Sequence, residues 1–381
     1  MESTETLVVG GGLVGLASAW HLARAGRRVT VLAPQHPGTA STAAAGMLTP
    51  GCEWNGWLPR HFLELLVAGR DYYPEFLAAL TGGDDADGYR VGYRTTDFLY
   101  LDSRERDEQM ERHHAALSAA GLDVTHLDLR ETLRHEPGLN LDPVRGSLRI
   151  RGDAVVDPRA VLGELRARLA DVLVPDGVAD ITDHGDRFTV RTAGGRELAA
   201  ERLVLAAGAW TQEVAGLLGV DVPVAPIRGQ IVELRGAPGA VRTVLYIATG
   251  ACGSVVERYP GTYVVGTSEE GTSATVANTP AVVAAVLSRV SSLVPALSTM
   301  SITDMWSGFR PTTPDEMPVI GAVDGGRIVL ATGHYRNGVL MGPVTGRLVC
   351  DLVTGAAPAL DLDPYRPDRS FGKQYRLAAR Y

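Results

Sequence analysis

The stretch that most constrains the fold is residues 7–15, which reads LVVGGGLVG. An uncharged apolar run meets glycines in the spacing G-x-G-x-x-G, and a helical pattern follows. This order predicts a strand, a tight turn and a helix that together bind a dinucleotide. Gly10 permits the turn, Gly12 lets the backbone approach a pyrophosphate, and Gly15 lets the helix pack closely on the sheet. The pyrophosphate would lie on the N–H groups at the start of that helix.

A second apolar run at residues 29–32 closes a βαβ unit within about 30 residues, as a dinucleotide-binding unit requires. An ordinary glycine-rich turn is the alternative interpretation. Such a unit normally ends in an acidic residue that binds a ribose hydroxyl, and Ala33 stands at that position. We therefore expect backbone groups or water to hold the ribose, and we assign no such role to the neighbouring Gln35 and His36.

The bulk composition excludes several classes of protein. A chain of 381 residues favours two domains, or one large domain with an insertion. Its hydrophobic fraction of 45%, its 44 glycines and its 22 prolines are typical of a globular α/β enzyme rich in loops. A net charge of −8 without any basic block argues against nucleic acid and anionic membranes as partners.

The cysteines and the first residues of the sequence indicate the cellular compartment. Cys52, Cys252 and Cys350 are odd in number and far apart, which indicates a reducing compartment with no disulfide framework and no metal site. The first five residues lack the basic region of a signal peptide. No apolar stretch approaches the roughly 20 residues of a membrane span. We therefore expect a cytoplasmic protein without membrane contact.

Three further stretches suggest chemistry. Residues 38–50 are mostly small, which suits either a flexible link or a backbone that passes close to a planar group. Residues 306–315 read WSGFRPTTPD, and Arg310 within them is suited to hold a carboxylate by two parallel N–H···O bonds. A buried ion pair with Asp315 is the competing interpretation. Residues 328–343 read as a strand, a polar loop and a helix start.

In order, and over nearly the whole chain, these motifs resemble those of the glycine oxidase branch of the D-amino-acid oxidase family of FAD-dependent flavoproteins. The matching stretches are AAAGML at 43–48, A-x-G-x-W at 206–210, W-x-G-x-R-P-x-T-x-D at 306–315 and GHYRNG at 333–338. The resemblance implies an α/β (α+β) fold with two domains. An FAD-binding βαβ Rossmann-like domain would comprise residues 1–85, 145–220 and 300–381. A substrate-binding domain of residues 86–144 and 221–299 would be built on a large mixed or antiparallel sheet.

The resemblance also implies the cofactor site. FAD would be bound noncovalently, because Gly308 stands where the related sarcosine oxidases carry the cysteine that attaches flavin. A helix that starts after the GHYRNG loop would stabilise the negative charge of reduced flavin. The residues implied to contact FAD are Gly10, Gly12, Leu13, Val14, Gly15, Ala33, Ser41, Thr42, Ala45, Gly46, Met47, Val178, Gly208, His334, Tyr335, Arg336, Asn337, Gly338, Val339 and Leu340.

For the substrate, the resemblance assigns catalytic and binding roles to Arg310 and Arg336 and places Thr49 nearby. Ser254 stands where the family has a tyrosine that helps bind the substrate carboxylate. Loss of that phenol removes a donor and opens space. We therefore expect a substrate that is larger than glycine, or one that is held differently.

The implied activity is oxidation of glycine, or of a small or N-substituted amino acid, to an imine that hydrolyses to an oxo acid and ammonia or an amine. Dioxygen would be reduced to hydrogen peroxide, in thiamine biosynthesis or in secondary metabolism. Two alternatives stay open: a dehydrogenase with a non-oxygen acceptor, and a flavin-binding protein without catalysis. The sequence also leaves the oligomeric state open, and a homo-oligomer is one of the alternatives.

Overall fold

The computed structural model describes residues 2–54, 58–83, 89–103, 107–142, 144–247, 253–271 and 275–372. Its helices are α1 (Leu13–Arg24), α2 (Ala40–Ala43), α3 (Pro50–Glu53), α4 (Arg60–Thr81), α5 (Asp107–Ala119), α6 (Leu129–His135), α7 (Pro158–Arg168), α8 (Thr211–Gly216), α9 (Pro280–Leu293) and α10 (Gly338–Thr354). Its strands are β1 (Glu2–Val9), β2 (Val29–Leu32), β3 (Met47–Leu48), β4 (Arg94–Ser103), β5 (Val124–Leu127), β6 (Val144–Val155), β7 (Leu173–Val174), β8 (Val178–Asp183), β9 (Phe188–Thr192), β10 (Glu197–Leu205), β11 (Ala225–Arg235), β12 (Val244–Ile247), β13 (Gly253–Tyr259), β14 (Thr262–Gly266), β15 (Ser301–Thr312), β16 (Val319–Val323) and β17 (Ile328–Thr332).

The first sheet is built around β1, which lies between β10 and β2 with all three strands parallel. Val9 pairs with Leu205 on one side and with Leu32 on the other, so the three strands end at the same edge. Beyond them, β17 and β16 follow β10, β7 follows β2, and the β8–β9 hairpin pairs with the first half of β10. Leu7 is fully buried, as expected of a parallel strand covered on both faces. The predicted βαβ unit is therefore confirmed.

The second sheet is mixed, as predicted, and runs in the order β15-β11-β14-β13-β12-β4-β6-β3, with β5 paired to β6. Among the described strands of this sheet, β12 and β4 pair in parallel and the other neighbours pair antiparallel. Helix α9 packs its apolar side, which includes Val286 and Val290, into the core beneath this sheet. Edge strand β15 pairs with β11 along its length, and this pairing sets Arg310 opposite Ile227.

Sheet membership divides the chain differently from the boundaries predicted at residues 145 and 300. Strands β6 and β15 fall in ranges assigned from sequence to the FAD-binding domain, yet they pair with β4 and β11 in the second sheet. A strand belongs to the sheet whose hydrogen bonds it completes, and neither segment carries a local pattern that identifies its distant partner. The division into two domains itself stays a prediction.

Three other sequence features can be located in the fold. Cys52 is buried and Cys350 is half-buried, both as free thiols, whereas Cys252 lies outside the described residues. Within the described ranges, no group of three or more His, Cys, Asp or Glu residues is arranged to hold a metal ion. Among the described helices, none combines the length and the apolar character needed to cross a bilayer.

Helix α10 contains a proline, and helix α4 supplies the hydrogen-bond donor that this proline lacks. Pro343 has no N–H to offer the carbonyl of Val339, one turn earlier in α10. The Tyr73 hydroxyl of α4 donates to that carbonyl at 2.6 Å, and the Tyr73 side chain is fully buried. Because Val339 lies in the first turn of α10, Tyr73 holds the start of that helix in place.

We expect Tyr73→Phe to lower the free energy of unfolding by about 1–3 kcal/mol, because it leaves a buried carbonyl without a donor while the ring still fills its site. Urea unfolding of the purified protein measures this change. Tyr72→Phe is the matched control: that hydroxyl is half-buried and its contact with His21 Nε2 is long, at 3.4 Å. A loss for Tyr73→Phe no larger than that of the control would contradict the assignment.

Candidate functional site

A cavity of about 690 Å3 lies between the end of the first sheet and the face of the second. Segments from both sheets line it, and they include most of the residues predicted from sequence. The predicted residues that line the cavity are Gly10, Gly12, Leu13, Val14, Ser41, Thr42, Ala45, Gly46, Met47, Val178, Gly208, Arg310, His334, Tyr335, Arg336, Asn337, Gly338 and Val339. The predicted residues that do not line it are Gly15, Ala33, Thr49, Ser254 and Leu340.

The first turn reaches the cavity because glycines permit close backbone contacts. Gly10 has a φ of 130°, and a Cβ there would stand 2.2 Å from the carbonyl oxygen of Ala206 at the end of β10. A Cβ on Gly15 would stand 2.0 Å from the Gly10 carbonyl oxygen, so Gly15 supports the turn from behind rather than facing the cavity. Helix α1 begins after Gly12, which has no side chain to cap it, and the Ser41 hydroxyl accepts from the Leu13 N–H at 3.0 Å.

The run of small residues after β2 is tied to the rest of the fold. Gly46 has a φ of 92°, and a Cβ there would lie 1.9 Å from the Val156 carbonyl oxygen. The buried guanidinium of Arg258 donates to the carbonyl oxygens of Ala44 and Ala45 at 3.0 and 3.2 Å. These contacts favour the close-packed interpretation of this run over a flexible link, and nothing in the sequence pattern had pointed to Arg258.

At the far end of β2, Ala33 lies behind the turn rather than in the cavity. A Cβ built on Gly11 would come within 2.6 Å of the Ala33 Cβ, so the absence of a side chain at position 11 lets the turn pack against Ala33. The cavity wall here is formed instead by the residues that follow, and His36 stacks on Trp210 with ring centroids 4.8 Å apart. Ala33 itself does not line the cavity, so its predicted contact with FAD stays a prediction that this placement does not support.

The loop after β17 closes the cavity. Burial lowers the pKa of His334 to about 3, so its imidazole is neutral, and Nε2 lies 3.0 Å from the Thr345 hydroxyl. Tyr335 has a φ of 48°, which turns the chain toward the start of α10 at Gly338. Leu340 is buried in the core, because it lies inside α10 on the side away from the cavity.

Arg310 lies at the part of the cavity formed by the second sheet. Its Nη1 donates to the Ser268 carbonyl oxygen at 3.0 Å and its Nη2 to the Thr267 hydroxyl at 2.5 Å. A Cβ on Gly229 would meet the guanidinium at 2.5 Å, so that glycine makes room for it. Within the described ranges Arg310 forms no ion pair, since the proposed alternative partner Asp315 pairs with Arg369 at 2.8 Å.

Arg336, in contrast, lies between two carboxylates. Its Nε donates to Glu53 at 3.0 Å and its Nη1 to Glu269 at 2.8 Å, while Nη2 donates to the Tyr246 hydroxyl at 2.8 Å. Burial alone would raise the pKa of Glu269. The guanidinium groups of Arg336 and Arg310, together with the Tyr335 hydroxyl, outweigh burial and lower this pKa to about 2. Glu269 is therefore ionised.

Two predicted substrate contacts lie elsewhere. Thr49 is fully buried: its hydroxyl donates to Asp153 at 2.5 Å and accepts from the Cys52 N–H at the start of α3. The buried Ser254 hydroxyl donates to the Gly266 carbonyl oxygen of the neighbouring strand at 2.9 Å. Both hydroxyls have partners inside the protein and neither residue lines the cavity, so nothing in their placement supports these two assignments, which stay predictions.

Sequence reasoning also missed acidic residues near the cavity. Glu53 lines the cavity and ends the short helix α3, whose Thr-Pro start was a usable signal. Glu269 lies in the segment after β14, where no motif marks it.

The lining fits a long cofactor with a pyrophosphate and a flat ring system. Glycines at positions 10, 12 and 46 leave room along the backbone, and the starts of α1 and α10 both face the cavity with their positive ends. The residues present therefore suit FAD.

Comparison with known proteins agrees with this fit. The family model described as FAD dependent oxidoreductase (DAO) matches residues 5–352. The glycine oxidase of Geobacillus kaustophilus is 30% identical over 97% of this chain and 98% of its own length. Its crystal structure aligns with a TM-score of 0.89 at 29% identity, over 97% of this chain and all of the other.

Two further relatives are similar over most of the chain. The crystal structure of iminodiacetate oxidase from Chelativorans sp. BNC1 aligns with a TM-score of 0.84 at 27% identity, over 95% of this chain and 99% of the other. The bifunctional protein ThiO/ThiG of Synechocystis sp. is 34% identical over 97% of this chain. The chain spans about half the length of that relative, 54%. By the match to its family model, this chain belongs to the family of FAD-dependent oxidoreductases.

Proposed function

We propose that this chain oxidises glycine, or a small or N-substituted amino acid, to the corresponding imine, and that dioxygen is reduced to hydrogen peroxide. The observation that carries the proposal is Arg310: a guanidinium that lines the cavity and forms no ion pair with any described residue. Such a group suits a substrate carboxylate. The similarity to a glycine oxidase over nearly its whole length supports an amino acid as the substrate.

The cofactor would be held by the first turn at its pyrophosphate and by the 41–47 and 334–339 segments along its ring system. Bound FAD supplies the two-electron acceptor for the carbon–nitrogen bond that is oxidised. The positive end of α10 supports negative charge in the cavity, whereas the neutral His334 imidazole contributes no charge of its own. A covalent link through position 308 is disfavoured, because a Cβ on Gly308 would lie 2.5 Å from the Ala43 Cβ.

The protein contributes chiefly by positioning the substrate. With two guanidinium N–H groups committed to Ser268 and Thr267, Arg310 is fixed in orientation and keeps further donors for a carboxylate. An anchored carboxylate places the adjacent amine-bearing carbon at one point in the cavity. The imine then hydrolyses to an oxo acid and ammonia or an amine. We place this reaction in the cytoplasm, which the few and scattered cysteines of the sequence support.

We expect the purified protein to be yellow and to release its flavin when it is precipitated with acid. None of the described residues that line the cavity is a cysteine, which supports noncovalent binding. The absorbance of the supernatant and of the washed pellet measures the partition. Flavin that stays with the pellet would contradict noncovalent binding.

With air as the oxidant, we expect hydrogen peroxide from at least one of glycine, sarcosine, N-ethylglycine and small D-amino acids. A peroxidase-coupled assay of the yellow protein measures it, with heat-inactivated protein as the control. If a substrate bleaches the flavin without air but admission of air yields no peroxide, the acceptor is not dioxygen. If none of them bleaches a bound flavin, the chain is not an oxidase of this class.

Arg310→Ala is expected to raise KM by about 100-fold, because it removes a half-buried, hydrogen-bonded positive charge that would pair with the carboxylate. Steady-state kinetics with the best substrate measures the change. Arg60→Ala is the matched control, since that exposed side chain on α4 pairs with Glu64 at the surface. An unchanged KM for Arg310→Ala would show that the carboxylate is held elsewhere.

A further inference from the structure

The cavity is lined by two guanidinium groups near Glu269 that differ in their partners. Arg310 donates to a carbonyl oxygen and a hydroxyl, and it is ion-paired with no described residue. Arg336 is ion-paired with Glu53 and with Glu269, and it also donates to the Tyr246 hydroxyl. The two cations therefore offer different sites to an incoming anion, although both line one cavity.

We propose that Arg310 alone anchors the substrate carboxylate, and that Glu53 and Glu269 make the rest of the pocket reject any second carboxylate. The proposal rests on the proposed function and narrows its substrate class. The accepted substrates are amino acids with one carboxylate whose nitrogen substituent is neutral or cationic. Dicarboxylic amines, such as N-carboxymethyl glycine, are excluded.

The argument follows from the balance of charge. Before binding, Arg310 and Arg336 balance Glu53 and Glu269. Once a carboxylate neutralises Arg310, the remaining group is one guanidinium between two carboxylates, which carries one net negative charge. Glu53 lines the cavity, so a second substrate carboxylate would face this negative group in a partly desolvated site. Like charges placed together at a binding site cost several kcal/mol.

Hydrogen bonds hold the two acidic side chains in place around Arg336. Glu269 is buried, it accepts from the Tyr335 hydroxyl at 2.7 Å, and its pKa lies well below the physiological range. The Glu53 side chain is 9% exposed and contacts Arg336 through both of its oxygens, at 3.0 and 3.4 Å. Arg336 therefore cannot turn to a second substrate carboxylate without leaving one of these two groups unpaired.

The fold itself does not impose this exclusion. The structurally similar iminodiacetate oxidase is named for a dicarboxylic amine, so the same architecture is compatible with such a substrate. The difference in this chain must come from individual side chains, and the acidic pair around Arg336 is the feature of the cavity that would produce it.

Two unreactive ethers test the proposal on the holoprotein. Methoxyacetate has the shape of sarcosine and carries one carboxylate, whereas diglycolate has the shape of N-carboxymethyl glycine and carries two. Titration of the visible absorbance of bound FAD measures each Kd without turnover. We expect diglycolate to bind at least about tenfold more weakly than methoxyacetate, because of like-charge repulsion.

Glu53→Gln removes one negative charge and retains the shape of the side chain. In this variant we expect the ratio of the two Kd values to fall to about threefold or less. Glu269→Gln is the second variant, which covers the case in which Glu53→Gln does not fold. Glu64→Gln is the matched control: it removes an exposed carboxylate on α4, and the ratio should stay unchanged.

Three outcomes would overturn the proposal. If diglycolate binds the unaltered protein as tightly as methoxyacetate, the exclusion is absent while the proposed oxidase function still stands. If the ratio is unchanged in both Glu53→Gln and Glu269→Gln, these carboxylates are not its cause. If neither ether binds a protein that has its FAD, the carboxylate site at Arg310 is wrong, and the proposed function falls with it.

Discussion

The contact between the first turn and the end of β10 is the constraint on which the rest of the structure depends. The Ala206 N–H donates to the Val9 carbonyl oxygen at 2.9 Å, and Gly10 then passes so close to Ala206 that no side chain fits between them. On the helix side, a Cβ on Gly15 would likewise collide with the Gly10 carbonyl oxygen. Because both contacts exclude a Cβ, α1 starts at the edge where the parallel strands end, and the other cavity segments are assembled against that edge.

Short motifs with characteristic residue spacing made much of the fold predictable from the sequence, together with the part of the cavity that suits FAD. The βαβ unit, the small-residue run and the GHYRNG loop are contiguous motifs, and each brings its residues to the cavity through its own turn geometry. Ala33 and Leu340 are instructive exceptions. Each is adjacent to lining residues, but the side chain packs behind the wall, and adjacency in sequence carries no information about that direction.

The substrate side was less predictable, because strand pairing between distant segments determines it. Ser254 is opposite Gly266 on one side and Tyr246 on the other, and its short side chain finds an acceptor on the neighbouring strand. A phenol is present one strand away, at Tyr246, whose hydroxyl accepts from Arg336. Glu269 likewise reaches Arg336 only through the path of the chain after β14. A register cannot be read from one strand alone.

A backbone hydrogen bond joins the segment after β2 to strand β15. The Phe309 N–H, next to Arg310 in β15, donates to the Gly38 carbonyl oxygen at 2.8 Å, and Thr39 forms a bridge with Phe309. Residues 38–39, which line the cavity, are therefore joined directly to the strand that bears Arg310. A shift of one of these segments would be passed to the other, so the position of Arg310 is coupled to whatever fills the cavity beside residues 38–39.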